Sequence, residues 1–409
     1  MVRTLTALLI ATLMFVGPAQ AGLSKREFNK ARKQLKLAQM NKNGEELVKA
    51  IARLGEDDSK RAAKLILKVT ATNVVAKAAV FDAAGEALSS MSSKGAVEAL
   101  VSVVSKRGGH DLVKILAIES LTARKDASSG KALGAALSDP RPGVLRATLR
   151  AVRTRKPGEA TPALIDLLEK LAKRPNALIQ SQIEHALVEI TGKWFDKVED
   201  WRQFWKHNSH KGTRPVTGSV KAALKTSERG KTPPPKFFGT EIRSERVVFA
   251  IDVSGSMKGE RLAKCKKQLT QCISSLSVRS SFTVVVYSNQ IRPWKKDLQR
   301  ATPKNKASAA SFVETLRASG NTCTRKALLR SLETTGADTI VLLSDGMPTG
   351  TKPDGAVYGE DEVINDVTAE NKRHQWEIHT FGFGDKGGTL ADFMETLAKK
   401  NHGKFTRIK

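Results

Sequence analysis

Asp252-Val253-Ser254-Gly255-Ser256 places one carboxylate and two hydroxyls at alternate positions of a short polar stretch. Alternate side chains of an extended loop point the same way, so these three oxygens can converge on one cation. Downstream, Gly320-Asn321-Thr322 offers a third hydroxyl, and Leu343-Ser344-Asp345-Gly346-Met347-Pro348-Thr349 offers a second carboxylate. All five donors, Asp252, Ser254, Ser256, Thr322 and Asp345, are hard oxygens. Two formal charges with neutral hydroxyls suit Mg²⁺, or Mn²⁺ or Ca²⁺ in its place, and a cation so held keeps waters and leaves room for an outside ligand. For Ser254 and Ser256 the competing use is N-capping of the helix that follows.

Those residues need a frame that brings distant loops to one rim. From residue 245 onward apolar runs alternate with helical periodicity, which predicts a mostly parallel sheet covered on both faces. Strands are expected at 247–251, 282–287, 339–343, 377–383 and 405–408, with a short edge strand at 291–297. Helices are expected at 259–276, 306–317, 325–334, 362–373 and 390–400. In a doubly wound α/β domain of this kind ligands bind beyond the carboxyl ends of the strands. Asp252 and Asp345 each follow such an end.

Taken together these residues resemble the metal-ion-dependent adhesion site (MIDAS) of von Willebrand factor type A domains, whose pattern is D-x-S-x-S, a downstream Thr and a downstream Asp in an S-D-G context. The resemblance covers residues 245–409, including Thr380-Phe381-Gly382-Phe383-Gly384 near the fifth strand. It implies a Rossmann-like fold and a bound divalent cation whose open position is filled by an acidic side chain of a protein partner. Asn321 departs from the pattern, since many relatives carry a second Gly there, and this leaves Thr324 as a rival to Thr322.

The first half of the chain has a different texture. Residues 45–192 form Ala- and Leu-rich amphipathic segments separated by short polar breaks, and similar helices recur at 77–88, 113–123, 144–154 and 179–190. The clearest unit runs Asp139-Pro140-Arg141-Pro142-Gly143-Val144-Leu145-Arg146-Ala147. Asp139 and Pro140 are expected to cap and start a helix whose inner positions are Val144, Ala147, Leu149 and Ala151. This unit resembles a HEAT-like repeat, which implies an all-α solenoid. Trp194, Phe195, Trp201, Phe204 and Trp205 then gather in a dozen residues, and an aromatic cap on the open end of the array is their expected use. From 207 to 244 Gly, Ser, Thr, Lys and Pro dominate, ending in Pro233-Pro234-Pro235, and a basic, exposed linker is expected.

The organisation expected is therefore a leader at 1–21, a helical HEAT-like region at 22–206, a linker at 207–244 and the A domain at 245–409. The leader reads as a signal peptide: Arg3, an apolar run over 5–16, the break Gly17-Pro18, and Ala19-Gln20-Ala21 as a cleavage site. Its apolar run is too short for a bilayer, which needs about 20 residues. Export to the periplasm, cell envelope or exterior follows, with no transmembrane anchor in the mature chain. Three cysteines do not make a disulfide scaffold. Cys265 and Cys272 share the apolar face of the predicted helix and read as small core residues, whereas Cys323 reads as a free thiol.

Across 409 residues, 69 Lys+Arg against 41 Asp+Glu give a net charge of +28. Such a surface attracts polyanions. Salt-sensitive binding of anionic envelope polymers by the basic helical half and linker is thus a second functional reading, while export argues against chromosomal nucleic acid. A third reading makes the cation activate water in a hydrolase. No His or Glu lies within the five-residue constellation, and the sequence lacks G-x-S-x-G, H-E-x-x-H and the phosphate-loop pattern. His374 and His379 flank a predicted strand and read as structural. No catalytic residue is expected.

Overall fold

A computed structural model describes residues 22–71, 78–173, 176–209, 217–227, 233–384 and 388–409. The expected leader at 1–21 lies outside the described residues. The chain is multidomain: a helical half is followed by a mixed α/β half.

The helical half opens with α1 (Lys25–Met40), started by a capping box in which Ser24 and Glu27 bond each other's backbone. Next come α2 (Gly44–Gly55), α3 (Lys60–Val69), α4 (Ala78–Ser90), α5 (Lys94–Ser105), α6 (Asp111–Leu121) and α7 (Ala127–Ala136). They are followed by α8 (Pro142–Arg155), α9 (Thr161–Lys173), α10 (Ala177–Thr191), α11 (Val198–Asn208) and α12 (Thr217–Ser227). Even-numbered helices from α2 to α12 stack in one layer, and odd-numbered helices from α3 to α11 stack in another. Helices inside the array thus bury their apolar stripes against a sequence neighbour and against the helix two places along. The recurring helices read from the sequence are α4, α6, α8 and α10, one layer of the two.

Val144, Ala147, Leu149 and Ala151 are all buried, as their spacing predicts. The start of α8 differs from expectation. Pro142, not Pro140, takes the first turn, and Arg141 holds the cap position without a side-chain bond. Asp139 is occupied otherwise: its carboxylate accepts from Lys114 Nζ at 2.8 Å and from Arg141 Nε and Nη2 at 2.8 and 2.7 Å. Burial alone would raise its pKa, but the bonds from Arg141 and Lys114 outweigh it and hold Asp139 well below the usual carboxylate range. The pair clamps the α6 and α8 hairpins together.

Trp201 is buried at the far end of the array, edge-on to Phe195 at 4.9 Å and to Trp194 at 6.3 Å. Its indole N–H donates to the Phe195 carbonyl at 3.0 Å. The aromatic group closes the core, as the four-residue spacing of Trp201 and Trp205 suggests. The stretch expected to be linker is partly structured. Helix α12 packs on α10 and buries Ala223. Beyond it, β1 (Lys236–Phe237) and β2 (Thr240–Glu241) form a two-residue hairpin, turned by Phe238 and Gly239 at φ 42° and 79°. Phe237 is fully buried against Phe381, ring centroids 4.8 Å apart. The α/β core therefore draws on residues ahead of 245.

In the α/β half, β3 (Arg246–Asp252), β4 (Ser281–Tyr287), β5 (Ile291–Pro293), β6 (Gln299–Arg300), β7 (Thr339–Ser344), β8 (Glu377–Phe383) and β9 (Phe405–Ile408) form one sheet. Its order is β5-β4-β3-β7-β8-β9, with β6 also on β4, and only β5 and β6 are antiparallel. Helices α13 (Glu260–Ser275) and α14 (Pro303–Glu314) cover one face. The other is covered by α15 (Thr324–Leu332), α16 (Glu360–His374) and α17 (Thr389–Lys400). Cys265 and Cys272 are buried and unbridged in α13, and burial pushes the Cys272 thiol up to about 12. They are core residues.

The two halves meet at the amino ends of the strands. Arg146 on α8 donates to the His374 carbonyl at 2.8 and 3.0 Å, and Arg150 bonds the Gln375 side chain. Gln182 on α10 donates to Glu377 at 3.0 Å, and the ammonium of Lys372 lies 4.6 Å from the Phe81 ring centroid. His402 lies half-buried in the field of Arg150 and Lys372. Burial first, then those two cations, push its pKa down to about 2. Its neutral form is the one the fold accepts, so stability is intact above the unfolded value near 6.5 and is lost as pH falls below it. Thermal unfolding between about pH 7 and about pH 5 should show a falling midpoint, as the fold loses at most about 1.4 kcal/mol of stability per pH unit and less as water reaches the ring. His402→Asn suits the left-handed backbone there, φ 62°, and should flatten that slope. An equal slope in the variant would assign the loss elsewhere.

Candidate metal centre

Parallel pairing puts the carboxyl ends of β3 and β7 side by side at the centre of the sheet. Asp252 ends β3 and is fully buried. Its Oδ1 accepts from the Ser254 amide at 2.7 Å and its Oδ2 from the Ser344 hydroxyl at 2.5 Å. Burial nevertheless dominates and pushes its pKa up to about 6, with the neighbouring Asp345 charge adding in the same direction. A carboxylate so placed gains from a cation.

The other loops are fastened to the first by backbone bonds. Gly255 N–H donates to the Gly320 carbonyl at 2.9 Å, and Ser319 N–H to the Val253 carbonyl at 2.8 Å. Gly320 has φ 79°, and any Cβ there would lie 2.9 Å from the Asn289 side chain. That side chain accepts from the Asn321 amide at 2.7 Å, so the departure at Asn321 leaves the loop's path intact. Thr322 is tied to the third loop by two bonds with Thr349, at 2.8 and 3.0 Å.

The hydroxyls converge. Ser254 and Ser256 Oγ lie 3.1 Å apart, and Ser256 donates to Asp345 Oδ1 at 2.7 Å. A Cβ built on Gly346 would stand 3.4 Å from Thr322 Oγ1 and 3.6 Å from Ser256 Oγ, so these two oxygens face the same small space. Thr324 does not join them: it begins α15 and is fully buried beneath the rim, in the surroundings of the Tyr287 hydroxyl. All five sequence-derived positions thus come to one rim. Ser254 makes no side-chain cap bond. The donor set of two carboxylates and three neutral hydroxyls fits a hard divalent cation.

Sequence reasoning missed the supports. Ser344 bonds Asp252, Tyr287 OH donates to the Leu343 carbonyl at 3.3 Å, and Asn289 and Thr349 position the second loop. It also missed Arg261, in the first turn of α13, whose Nη1 donates to Asp345 Oδ2 at 2.7 Å. A guanidinium at that distance opposes a second cation, because like charges a few Å apart cost about 1 kcal/mol or more even near a surface. Arg261→Gln should therefore tighten Mg²⁺ binding by roughly tenfold in calorimetry. A weaker Mg²⁺ affinity would show instead that Arg261 organises the site.

His379 and His374 lie away from the rim. His379 is bonded to Glu377 at 3.3 Å and accepts from the Lys404 amide at 3.1 Å, while His374 lies 5.1 Å from the Trp376 ring and 3.7 Å from Glu370. Both are structural at the opposite end of the sheet.

A mostly parallel sheet with helices on both faces and an oxygen-lined rim at its carboxyl end defines a class of α/β domain. Residues 245–406 match the family model described as von Willebrand factor type A domain, and this part of the chain is such a domain. Similar proteins include inter-alpha-trypsin inhibitor heavy chain H2 of Homo sapiens, 29% identical over 176 residues, which cover 40% of this chain and 18% of that one. Heavy chain H1 of Bos taurus is 26% identical over 177 residues, covering 40% and 19%. The match thus spans under a fifth of the length of these relatives. Among solved structures, a von Willebrand factor type A protein from Catenulispora acidiphila aligns with a TM-score of 0.35 at 23% identity, over 42% of this chain and 40% of that one. BatB from Bacteroides thetaiotaomicron aligns with a TM-score of 0.31 at 16% identity, over 40% and 89%.

Proposed function

We propose that this chain is an exported interaction or assembly module that captures a protein partner through a divalent cation. Asp252, Ser254, Ser256, Thr322 and Asp345 hold the ion, with Mg²⁺ as the first choice, and an acidic side chain of the partner completes its coordination. The convergence of those five oxygens beyond β3 and β7 carries this reading. Asp252 and Asp345 supply charge, whereas the three hydroxyls leave the cation electrophilic enough to prefer an added carboxylate. The helical half, read as HEAT-like repeats, acts as a scaffold docked at the other end of the sheet and leaves the rim open.

Binding, not catalysis, is what this rim favours. Among the described residues no imidazole or glutamate is bonded to the five oxygens to move a proton, and His374 and His379 are engaged elsewhere. Periplasm, cell envelope or exterior is the proposed location, resting on the leader's composition; among the described residues no helix is long and apolar enough to cross a membrane.

Affinity capture from an envelope extract tests the reading, run in Mg²⁺, in EDTA and at two salt concentrations. A partner retained in Mg²⁺ and released by EDTA at either salt supports it. Capture that ignores EDTA and disappears in salt would transfer partner binding to the basic helical half.

A further inference from the structure

Helix α1 carries a surface that the metal site does not explain. Its inner face buries Phe28, Ala31, Leu35 and Ala38. At 100° per residue the opposite face collects Lys25, Arg26, Lys30, Lys33, Lys36, Leu37 and Met40, all of them exposed. Over the whole helix six Lys or Arg face a single Glu27, and Glu27 is already engaged by Ser24 and by Arg53. The outward face is therefore a strip of cations without an acidic counterpart on the same strip.

The strip is not uniformly polar. Among the described residues only four large hydrophobic side chains are strongly exposed, and two of them, Leu37 at 47% and Met40 at 68%, sit on α1 less than one turn apart. A solvated charged helix gains nothing from them. A phosphate backbone or a sulfated glycan would engage the lysines and leave both apolar side chains in water. A bilayer with anionic headgroups satisfies both: cations at headgroup level, Leu37 and Met40 in the acyl boundary.

We propose that the outward face of α1 docks the protein on an anionic lipid surface. Helix α1 is the first of the array and packs on α2, whereas the A domain is met by α4, α6 and α8, so the outward face of α1 is not the face that meets the A domain. A chain lying on the membrane through α1 keeps the metal rim available for a partner. The surface acts independently of the cation site.

Vesicle co-sedimentation of the full chain tests this, with phosphatidylglycerol–phosphatidylcholine vesicles against pure phosphatidylcholine, in EDTA. Binding only to the anionic vesicles is expected. Each headgroup contact is worth about fivefold, so the triple variant Lys30→Gln, Lys33→Gln, Lys36→Gln should weaken it by roughly a hundredfold. The double variant Leu37→Ser, Met40→Ser should weaken vesicle binding about tenfold or more and leave retention on heparin unchanged. All five side chains are exposed, and an unchanged melting temperature shows that the variants fold. Equal binding to both vesicle types, or vesicle binding insensitive to the Leu37 and Met40 pair, would overturn the proposal, the second outcome leaving a general polyanion surface.

Discussion

Asp345→Ala should weaken Mg²⁺ binding roughly a hundredfold or more, and with it abolish partner capture, in a protein that still folds. Asp345 has a fully shielded carboxylate, bonded by Ser256 at 2.7 Å and by Arg261 at 2.7 Å. On the proposed reading, removing it deletes one of the two formal charges that would draw a divalent ion into the rim. At the dielectric of a half-buried site this costs about 3 kcal/mol or more, equivalent to roughly a hundredfold in affinity. Arg261, half exposed, returns to water at little cost. Asp252→Ala would remove as much charge but would orphan the Ser254 amide and leave the Ser344 hydroxyl only its bonds with Gly346 beneath the rim, so it loses stability as well as metal. The two variants thus separate metal binding from folding. In thermal shift, Mg²⁺ at a hundred times its dissociation constant should stabilise the wild type by about 2.7 kcal/mol and Asp345→Ala by about 0.4 kcal/mol or less. A variant that still responds to Mg²⁺ and still captures its partner would place the cation elsewhere.

Four of the five rim positions, Asp252, Ser254, Ser256 and Asp345, were legible because each belongs to a short motif at the end of an apolar run, whereas Thr322 lies in a loop between two helices and was picked out by the resemblance. Their supports were not legible for a specific reason. Tyr287 stands opposite Asp252 only through the β3–β4 register, and Ser344 reaches Asp252 only because β7 is the other neighbour of β3. Strand order is a tertiary fact, invisible in a window of sequence. In the helical half, Ala- and Leu-rich periodicity exposed the layer of α4, α6, α8 and α10. Helix α7 is written ASSGKALGAA and carries two glycines of poor propensity. It is helical because a tight contact demands them: a Cβ on Gly134 would lie 3.3 Å from the Ala160 backbone. The supposed linker misled for the converse reason. Its composition is that of a loop, yet Ala223 and Phe237 each find an apolar core to enter, and burial overrides propensity.

The docking of the two halves yields the other large effect, at Gly143. This residue lies in the first turn of α8, where exchanging Gly for Ala would ordinarily stabilise the helix by up to about 1 kcal/mol. Here the added Cβ would fall 2.0 Å from the Arg373 carbonyl oxygen at the end of α16. A carbon and a carbonyl oxygen tolerate about 3.3 Å, so the halves would have to part by about 1 Å or more. Parting strains the bonds from Arg146 to the His374 carbonyl and from Gln182 to Glu377, and leaves buried cations short of acceptors. Gly143→Ala should therefore destabilise by about 2–4 kcal/mol, against the sign that helix propensity alone gives, and hydrogen exchange should rise at the end of α16. Arg146→Ala breaks the same contact from its polar side, and because the two residues share a partner their effects should not add: the double variant should melt close to Gly143→Ala. Mg²⁺ affinity should be unaffected in all three, since the contact lies at the amino ends of the strands and the metal rim at their carboxyl ends. A gain in stability for Gly143→Ala would mean that the halves do not meet in solution along α8 and α16.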